Sequence, residues 1–129
     1  EIALEMGAKR AVPLNVSGAF HSALMVQAAD ALTEALRAAQ IGPASVPVVA
    51  NYTADTQTSA EEIRMNLAKQ LTGCVLWVDS VRKMLDCGAE VFLELGPGTV
   101  LAGLIKRIAP DAPVRSIGDG ASLEQALSS

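Results

Sequence analysis

Aromatic and basic residues are both scarce in this chain of 129 residues. Phe, Trp and Tyr make up 3% of the sequence, and 10 Lys and Arg residues are outnumbered by 14 Asp and Glu residues, which gives a formal net charge of −4. Clustered Lys and Arg bind nucleic acids and anionic membranes, and stacked aromatic rings bind single strands. The composition therefore argues against a nucleic-acid-binding or membrane-binding protein.

Cysteine and histidine are also rare, with two cysteines and one histidine. A helix predicted between Cys74 and Cys87 would separate them by about 20 Å. A disulfide requires Cα atoms within about 7 Å, so we expect free thiols in a reducing, cytoplasmic compartment. One histidine and two distant cysteines do not have the spacing of metal ligands, so no metal site is predicted.

Long uninterrupted apolar runs are missing as well. The longest uncharged stretches, 11–29 and 38–54, are broken by Pro, Asn and Gly, so neither is predicted to span a membrane. Half of the residues are hydrophobic and 19% are charged, so the chain can bury a core of Ala, Val, Leu and Ile. The sequence begins at Glu1 inside a predicted helix and without a signal peptide, from which we expect a further segment upstream.

Hydrophobic periodicity and Gly/Pro punctuation predict alternating helices and strands. Helices are predicted at 1–6, 23–39, 60–72, 75–85, 100–108 and 122–127, and strands at 11–16, 46–49, 90–95 and 114–117. Residues 51–58 are predicted as a loop, Ser59 with Glu62 as a capping box, and Thr99 as the cap of the helix at 100–108. This alternation predicts an α/β architecture with parallel strands.

His21 is the first candidate for chemistry, because it lies in a loop at the exit of a predicted strand, where open α/β sheets gather catalytic groups. Histidine exchanges protons near neutral pH, although a lone histidine is more often structural. No Gly-x-Ser-x-Gly nucleophile elbow occurs, and neither Ser17 nor Ser22 lies on a strand-to-helix turn. The turn 96–98 (Gly-Pro-Gly) lacks the lysine of a phosphate-binding loop, so a structural turn is favoured there.

Several segments resemble, in the same order and spacing, the malonyl-CoA:acyl-carrier-protein transacylases of fatty-acid synthesis. They are 13–25 (Pro-Leu-Asn-Val-Ser-Gly-Ala-Phe-His-Ser-Ala-Leu-Met), 46–51 (Val-Pro-Val-Val-Ala-Asn), 69–71 (Lys-Gln-Leu), Trp77 with 80–81 (Ser-Val), and 94–101 (Glu-Leu-Gly-Pro-Gly-Thr-Val-Leu). The resemblance covers about 10–117.

The resemblance implies a Ser-His acyl-enzyme mechanism that carries malonyl from malonyl-CoA to the phosphopantetheine thiol of acyl carrier protein. His21 would be the general base, and the carbonyl of Gln70 would orient its ring. Phe20 would fill the space that the methyl group of methylmalonyl needs, and Val100 would line the acyl pocket. Malonyl-CoA is implied as substrate, with no cofactor.

The serine segment of the family is missing here, so the resemblance implies that a missing N-terminal half supplies the nucleophile. Residues 1–16 would end a small ferredoxin-like subdomain. Residues 17–129 would form the second half of a hydrolase-like parallel-sheet core. We therefore expect the chain alone to be inactive, and its exposed apolar sheet edge makes isolated folding doubtful.

Two alternatives stay open: an acyltransferase domain of a polyketide synthase, and a non-catalytic interaction module of the same fold.

A carrier protein is acidic, so the surface of this chain that docks the carrier is expected to be basic. The adjacent basic pairs are the candidates, namely Lys9 with Arg10 and Lys106 with Arg107.

Overall fold

The computed structural model describes residues 2–12 and 18–128. The helices are α1 (Ile2–Glu5), α2 (Val26–Ala38), which follows a single 3-10 turn at Ala23–Met25, α3 (Ala60–Gln70), α4 (Trp77–Asp86), α5 (Val100–Ile108) and α6 (Gly120–Leu127). The strands are β1 (Val48–Ala50), β2 (Asp55–Gln57), β3 (Phe92–Leu95) and β4 (Val114–Ile117).

Strands β3 and β4 form a parallel pair, in which Phe92 lies opposite Val114 and Leu95 opposite Ile117. Helix α5 connects them, as a parallel pair requires. The α/β prediction with parallel pairing is confirmed here. The strand predicted at 11–16 falls largely outside the described residues, as does the predicted domain boundary after residue 16.

Strand β2 was not predicted, because residues 51–58 were assigned to a loop; that assignment is wrong at Asp55–Gln57, which pairs antiparallel with β1. The strand is held by contacts distant in sequence. Asn66 Nδ2 on α3 donates to Gln57 Oε1 at 2.6 Å, both residues being buried. At the other end Lys83 Nζ on α4 lies 2.8 Å from Asp55 Oδ1, and this contact lowers the pKa of the Asp55 carboxyl.

The core lies between α4, α5 and the parallel strands. Its buried members are Val81, Phe92 and Ile105, each 7% exposed or less. Phe92 faces inward, whereas the next residue, Leu93, is 55% exposed, as the alternation of a strand dictates. The part of the core that is fully shielded from water is therefore small.

Helix α3 begins with the predicted capping box. The Glu62 N–H donates to Ser59 Oγ at 3.2 Å, and the Ser59 N–H donates to Glu62 Oε2 at 3.2 Å. Three hydrogen bonds hold the pKa of the Glu62 carboxyl below its ordinary value. The bond from the Ser59 hydroxyl contributes most, and those from the backbone N–H groups of Ser59 and Thr58 add to it.

The predicted cap of α5 is wrong, because Thr99 makes no side-chain capping bond. Glu94 on β3 takes that place: its carboxylate accepts the N–H groups of Leu101 at 2.9 Å and Ala102 at 3.0 Å, and the hydroxyl of Ser116 at 3.1 Å. Partial desolvation raises the pKa of Glu94, but the bonds from Ala102, Leu101 and Ser116 outweigh it and leave the pKa lowered. A carboxylate two residues before the Gly-Pro-Gly turn thus anchors the helix that follows it.

Among the helices that the structure describes, none combines the length and the apolar character needed to cross a membrane.

Candidate functional site

The ring of His21 is fixed at one nitrogen by a carbonyl from a distant part of the chain. Its Nδ1 lies 2.8 Å from the main-chain oxygen of Gln70. A carbonyl can only accept, so Nδ1 carries the proton in this contact, and in the neutral ring Nε2 then holds the free lone pair. Within the described part of the chain, Nε2 has no hydrogen-bond partner and His21 is exposed. This arrangement leaves Nε2 available to accept a proton from a donor group placed beside the ring.

The backbone of His21 is held at the same place. Its N–H donates to the Leu71 carbonyl at 2.9 Å. The last carbonyls of a helix have no partner within the helix, so the C-terminal end of α3 offers acceptors for both N–H groups of His21. The φ of His21 is +63°, a left-handed conformation that is uncommon for a residue with a side chain. Such conformations persist where surrounding contacts impose them, and they concentrate at functional sites.

Gln70 contributes its main chain to His21 and its side chain to the turn beyond α3. Its Nε2 donates to the carbonyls of Gly73 and Cys74, both at 3.2 Å. Any residue has a main-chain carbonyl, so what glutamine adds at this position is the side-chain amide that braces the turn. Gln70 was predicted from the resemblance, but Leu71, whose carbonyl holds the His21 backbone, was not, since a main-chain contact of that kind has no sequence signal.

Phe20 and Val100, the residues expected to line the acyl site, are both on the surface of the chain. Phe20 is 55% exposed and precedes His21 in the same loop; its ring lies over Gly18, where an added Cβ would come within 3.1 Å of it. Val100 is the first residue of α5 and is 72% exposed. Their roles in substrate binding stay predictions.

Among the residues that the structure describes, the candidate nucleophiles Ser22, Cys74 and Cys87 make no hydrogen bond to the His21 ring. The Ser22 hydroxyl donates to the Ala19 carbonyl at 2.7 Å and accepts the Leu24 N–H at 3.3 Å, so it caps the following turn. Ser17 lies outside the described residues. Cys74 and Cys87 are free, as expected, and the structure places both on the surface. In residues 2–12 and 18–128, no serine or cysteine is hydrogen-bonded to the His21 ring.

The two basic pairs differ in what their charges do. Lys106 Nζ donates to the carbonyls of Ala112 at 2.8 Å and Pro110 at 3.4 Å, which closes the turn after α5. Arg107 beside it is exposed, as are Lys9 and Arg10 after α1. Arg107 is therefore better suited than Lys106 to contact a partner.

No protein-family model matches the chain. A malonyl CoA-acyl carrier protein transacylase of Bacillus subtilis is 42% identical over 127 residues, which are 98% of this chain and 40% of the relative. The crystal structure of an acyl-carrier-protein S-malonyltransferase from Burkholderia pseudomallei superposes with a TM-score of 0.91 at 41% identity, over 99% of this chain and 42% of that one. A malonyl-transacylase solved in complex with its type II polyketide acyl-carrier protein gives a TM-score of 0.90 at 42% identity, over 97% of this chain and 40% of that one.

The chain spans about two-fifths of the length of the curated relatives it matches. Identity near 40% and TM-scores near 0.9 extend over almost all of its residues, so the hydrolase-like α/β assignment is confirmed for this part. In sequence and in fold, the chain is similar to the C-terminal part of malonyl CoA-acyl carrier protein transacylases.

Proposed function

We propose that this chain supplies the histidine side of an acyltransferase that moves malonyl from malonyl-CoA to the phosphopantetheine thiol of acyl carrier protein. The observation that carries the proposal is the fixed His21 ring, with Nδ1 bonded to the Gln70 carbonyl and Nε2 free. The similarity to malonyl transacylases supplies the reaction type. His21 is assigned as general base and acid, and Gln70 as the residue that orients it.

In the first half-reaction, a serine hydroxyl contacts Nε2 of His21. Nε2 takes the hydroxyl proton while the serine oxygen attacks the malonyl thioester carbonyl. Collapse of the tetrahedral intermediate breaks the carbon–sulfur bond, and the CoA thiolate leaves with the proton from Nε2. The Gln70 carbonyl accepts the Nδ1–H throughout and so keeps the reactive tautomer in place, with a neutral group where a Ser-His-Asp triad has a carboxylate.

The second half-reaction reverses these roles. The phosphopantetheine thiol gives its proton to Nε2, and its sulfur attacks the malonyl-serine ester. The carbon–oxygen bond breaks, and the serine oxygen recovers the proton from Nε2. The products are malonyl thioester on the carrier protein and free serine, so the same nitrogen serves both steps without a cofactor.

The serine is assigned to a further polypeptide segment, in the same chain or in a second one. The accessible surface of this chain is 9502 Å². A compact monomer of this size exposes about 6,500 Å². The difference is about 3,000 Å² on this chain alone, and interfaces that bury more than about 2,000 Å² counted over both partners are already large. Large apolar side chains on the unshielded surface include Leu95, 74% exposed, and Val100. This surface supports a serine-bearing segment packed against the chain.

Intact mass before and after incubation with malonyl-CoA tests the function. We expect the 129-residue chain to gain no malonyl group alone, and a serine-bearing polypeptide combined with it, or continuous with it, to gain one. Acyl carrier protein should then remove that group. A soluble 129-residue chain that never supports an adduct in either arrangement would contradict the transferase and favour an interaction module.

Replacing Phe20 by serine in the longer enzyme is expected to narrow the preference for malonyl-CoA over methylmalonyl-CoA by about tenfold, since one methyl group in an apolar pocket is worth about 1–3 kcal/mol. The ratio of kcat/KM for the two substrates is the measurement. Phe20→Tyr, which keeps the ring volume, is the matched control. An unchanged ratio in Phe20→Ser would remove Phe20 from the acyl pocket.

Charge reversal of Arg107 tests carrier docking, together with reversal at Lys9 and Arg10, the other candidate pair. We expect Arg107→Glu to raise the KM for acyl carrier protein and to leave the KM for malonyl-CoA unchanged, because acidic carriers are attracted by basic surfaces. Lys106→Glu is a poor probe, since it would also break the bonds to Pro110 and Ala112. Unchanged carrier KM in both the Arg107 variant and a Lys9/Arg10 double variant would discard the docking surface.

A carrier protein of type II polyketide synthesis is the second candidate partner, because one similar transacylase was solved in complex with such a carrier. Transfer rates to fatty-acid and polyketide carriers, compared in one assay, separate the two pathways.

The cytoplasm is the proposed location, and the division into a subdomain end at 1–16 and a core at 17–129 stays part of the proposal.

A further inference from the structure

The Gln70 and Leu71 carbonyls hold His21, and the chain then forms one short turn, residues 71–76, between α3 and α4. This turn is fixed from within by the Gln70 side chain, which donates to the Gly73 and Cys74 carbonyls. It is also fixed at its end, where the Leu76 N–H donates to the Asn51 carbonyl at 2.8 Å. The residue after Asn51 is Tyr52, so the segment following β1 lies directly against the turn.

Tyr52 contacts the turn at Gly73. A Cβ added to Gly73 would lie 2.5 Å from both Cδ2 and Cε2 of the Tyr52 ring, far inside van der Waals contact. The same Cβ would lie 3.0 Å from the Lys69 carbonyl. Lys69 Nζ also lies 5.8 Å from the centre of the Tyr52 ring, which adds a cation–π contact. The ring therefore occupies the space that any side chain at residue 73 would need.

We propose that Tyr52 is a positioning residue for His21. The Tyr52 ring packs against Gly73 and fixes its position. The Gly73 carbonyl accepts a hydrogen bond from the Gln70 side-chain amide. The Gln70 carbonyl in turn accepts from the His21 ring, and the Leu71 carbonyl accepts from the His21 backbone N–H. A shift of the turn at Gly73 then moves both acceptors of His21 together. The proposal deepens the proposed function and rests on it for its catalytic meaning, because positioning matters only if the His21 ring transfers protons.

The test uses the longer enzyme labelled with ¹⁵N in histidine, in which the ring nitrogens of His21 are those whose signals disappear in His21→Asn. In Gly73→Ala and in Tyr52→Ala, the Nδ1–H proton is expected to exchange with water about tenfold faster, the factor for weakening one hydrogen bond. Tyr52→Phe retains the ring, so the Nδ1–H proton is expected to exchange as slowly in this variant as in the unchanged protein.

A double variant shows whether the two residues act on each other. Once Tyr52 is alanine, the Cβ of Gly73→Ala no longer meets the ring, so adding Gly73→Ala should accelerate exchange less than it does in the chain with Tyr52. Unchanged exchange in Gly73→Ala, or equal acceleration in both backgrounds, overturns the proposal. If circular dichroism finds Gly73→Ala unfolded, Tyr52→Leu replaces it, and unchanged exchange there likewise overturns the proposal.

Transfer kinetics in the longer enzyme separate this inference from the proposed function. We expect Tyr52→Leu to lower kcat for malonyl transfer and to leave KM for malonyl-CoA unchanged, because the proposed role of Tyr52 is to position His21 and not to bind substrate. A released His21 ring with unchanged malonyl transfer would contradict the role of His21 as base and would leave the structural link from Tyr52 to His21 intact.

Discussion

Malonyl transfer is expected to fall by about 10²–10⁴-fold when His21 is replaced by alanine, the usual contribution of a positioned general base. The variant loses Nε2, which accepts the serine proton, and Nδ1, which anchors the ring to the Gln70 carbonyl. The measurement is the steady-state rate of malonyl transfer to acyl carrier protein by the longer enzyme. Turnover near that of the unchanged enzyme would reject the assignment.

His21→Asn is the matched control for the backbone. Asparagine tolerates a positive φ better than most residues, so it suits the φ of +63° at this position better than alanine does. An activity loss as large in His21→Asn as in His21→Ala would assign the effect to the missing base. Full activity in His21→Asn would instead indicate that the alanine variant fails through its backbone.

Replacing Phe92 by alanine is expected to lower the free energy of unfolding by about 3–5 kcal/mol. Phe92 is 7% exposed and packs with Val81 and Ile105 in the small core. Whole domains are stable by only about 5–15 kcal/mol, so this single change removes much of the stability of the chain. Urea unfolding of the 129-residue chain followed by circular dichroism gives the value, and a cooperative transition of the unchanged chain first establishes that it folds alone.

Leu93→Ala is the control in the same strand. Leu93 is 55% exposed in this chain, so its truncation leaves no buried cavity, and a loss below about 1 kcal/mol is expected. Equal losses for Phe92→Ala and Leu93→Ala would mean that the core does not lie on the Phe92 side of β3. In the longer enzyme, a large loss for Leu93→Ala would indicate that the serine-bearing segment covers this face.

Local signals predicted much of the fold. Helix α5 and strand β4 have the predicted bounds, because Gly, Pro and the hydrophobic period mark their ends without help from the rest of the chain. The capping box at Ser59 was also predicted correctly, since its two partners are three residues apart. Strand β2 and the cap of α5 were missed, because Asn66, Lys83 and Glu94, which stabilise them, are 7 to 28 residues away in the sequence.

The candidate site divides in the same way. His21 was identified from its rarity and its loop, and Gln70 from the resemblance to a known family, while their catalytic roles stay predictions. The contact between them joins residues 49 positions apart through a main-chain oxygen, so no pattern of side chains encodes it. The packing of the Tyr52 ring against Gly73 could not be predicted from the sequence either, since Gly73 there indicates only the end of a helix.

The sequence by itself determined the α/β class, most helix ends and the histidine on which the proposed chemistry depends, because these follow from neighbouring residues and from composition. Only the tertiary structure decided which nitrogen of His21 is free, that the Leu71 carbonyl holds the His21 backbone, and that Glu94 rather than Thr99 caps α5. Those facts depend on which distant main-chain and side-chain groups meet after folding, since a hydrogen bond forms between any donor and acceptor that the fold brings within about 3 Å.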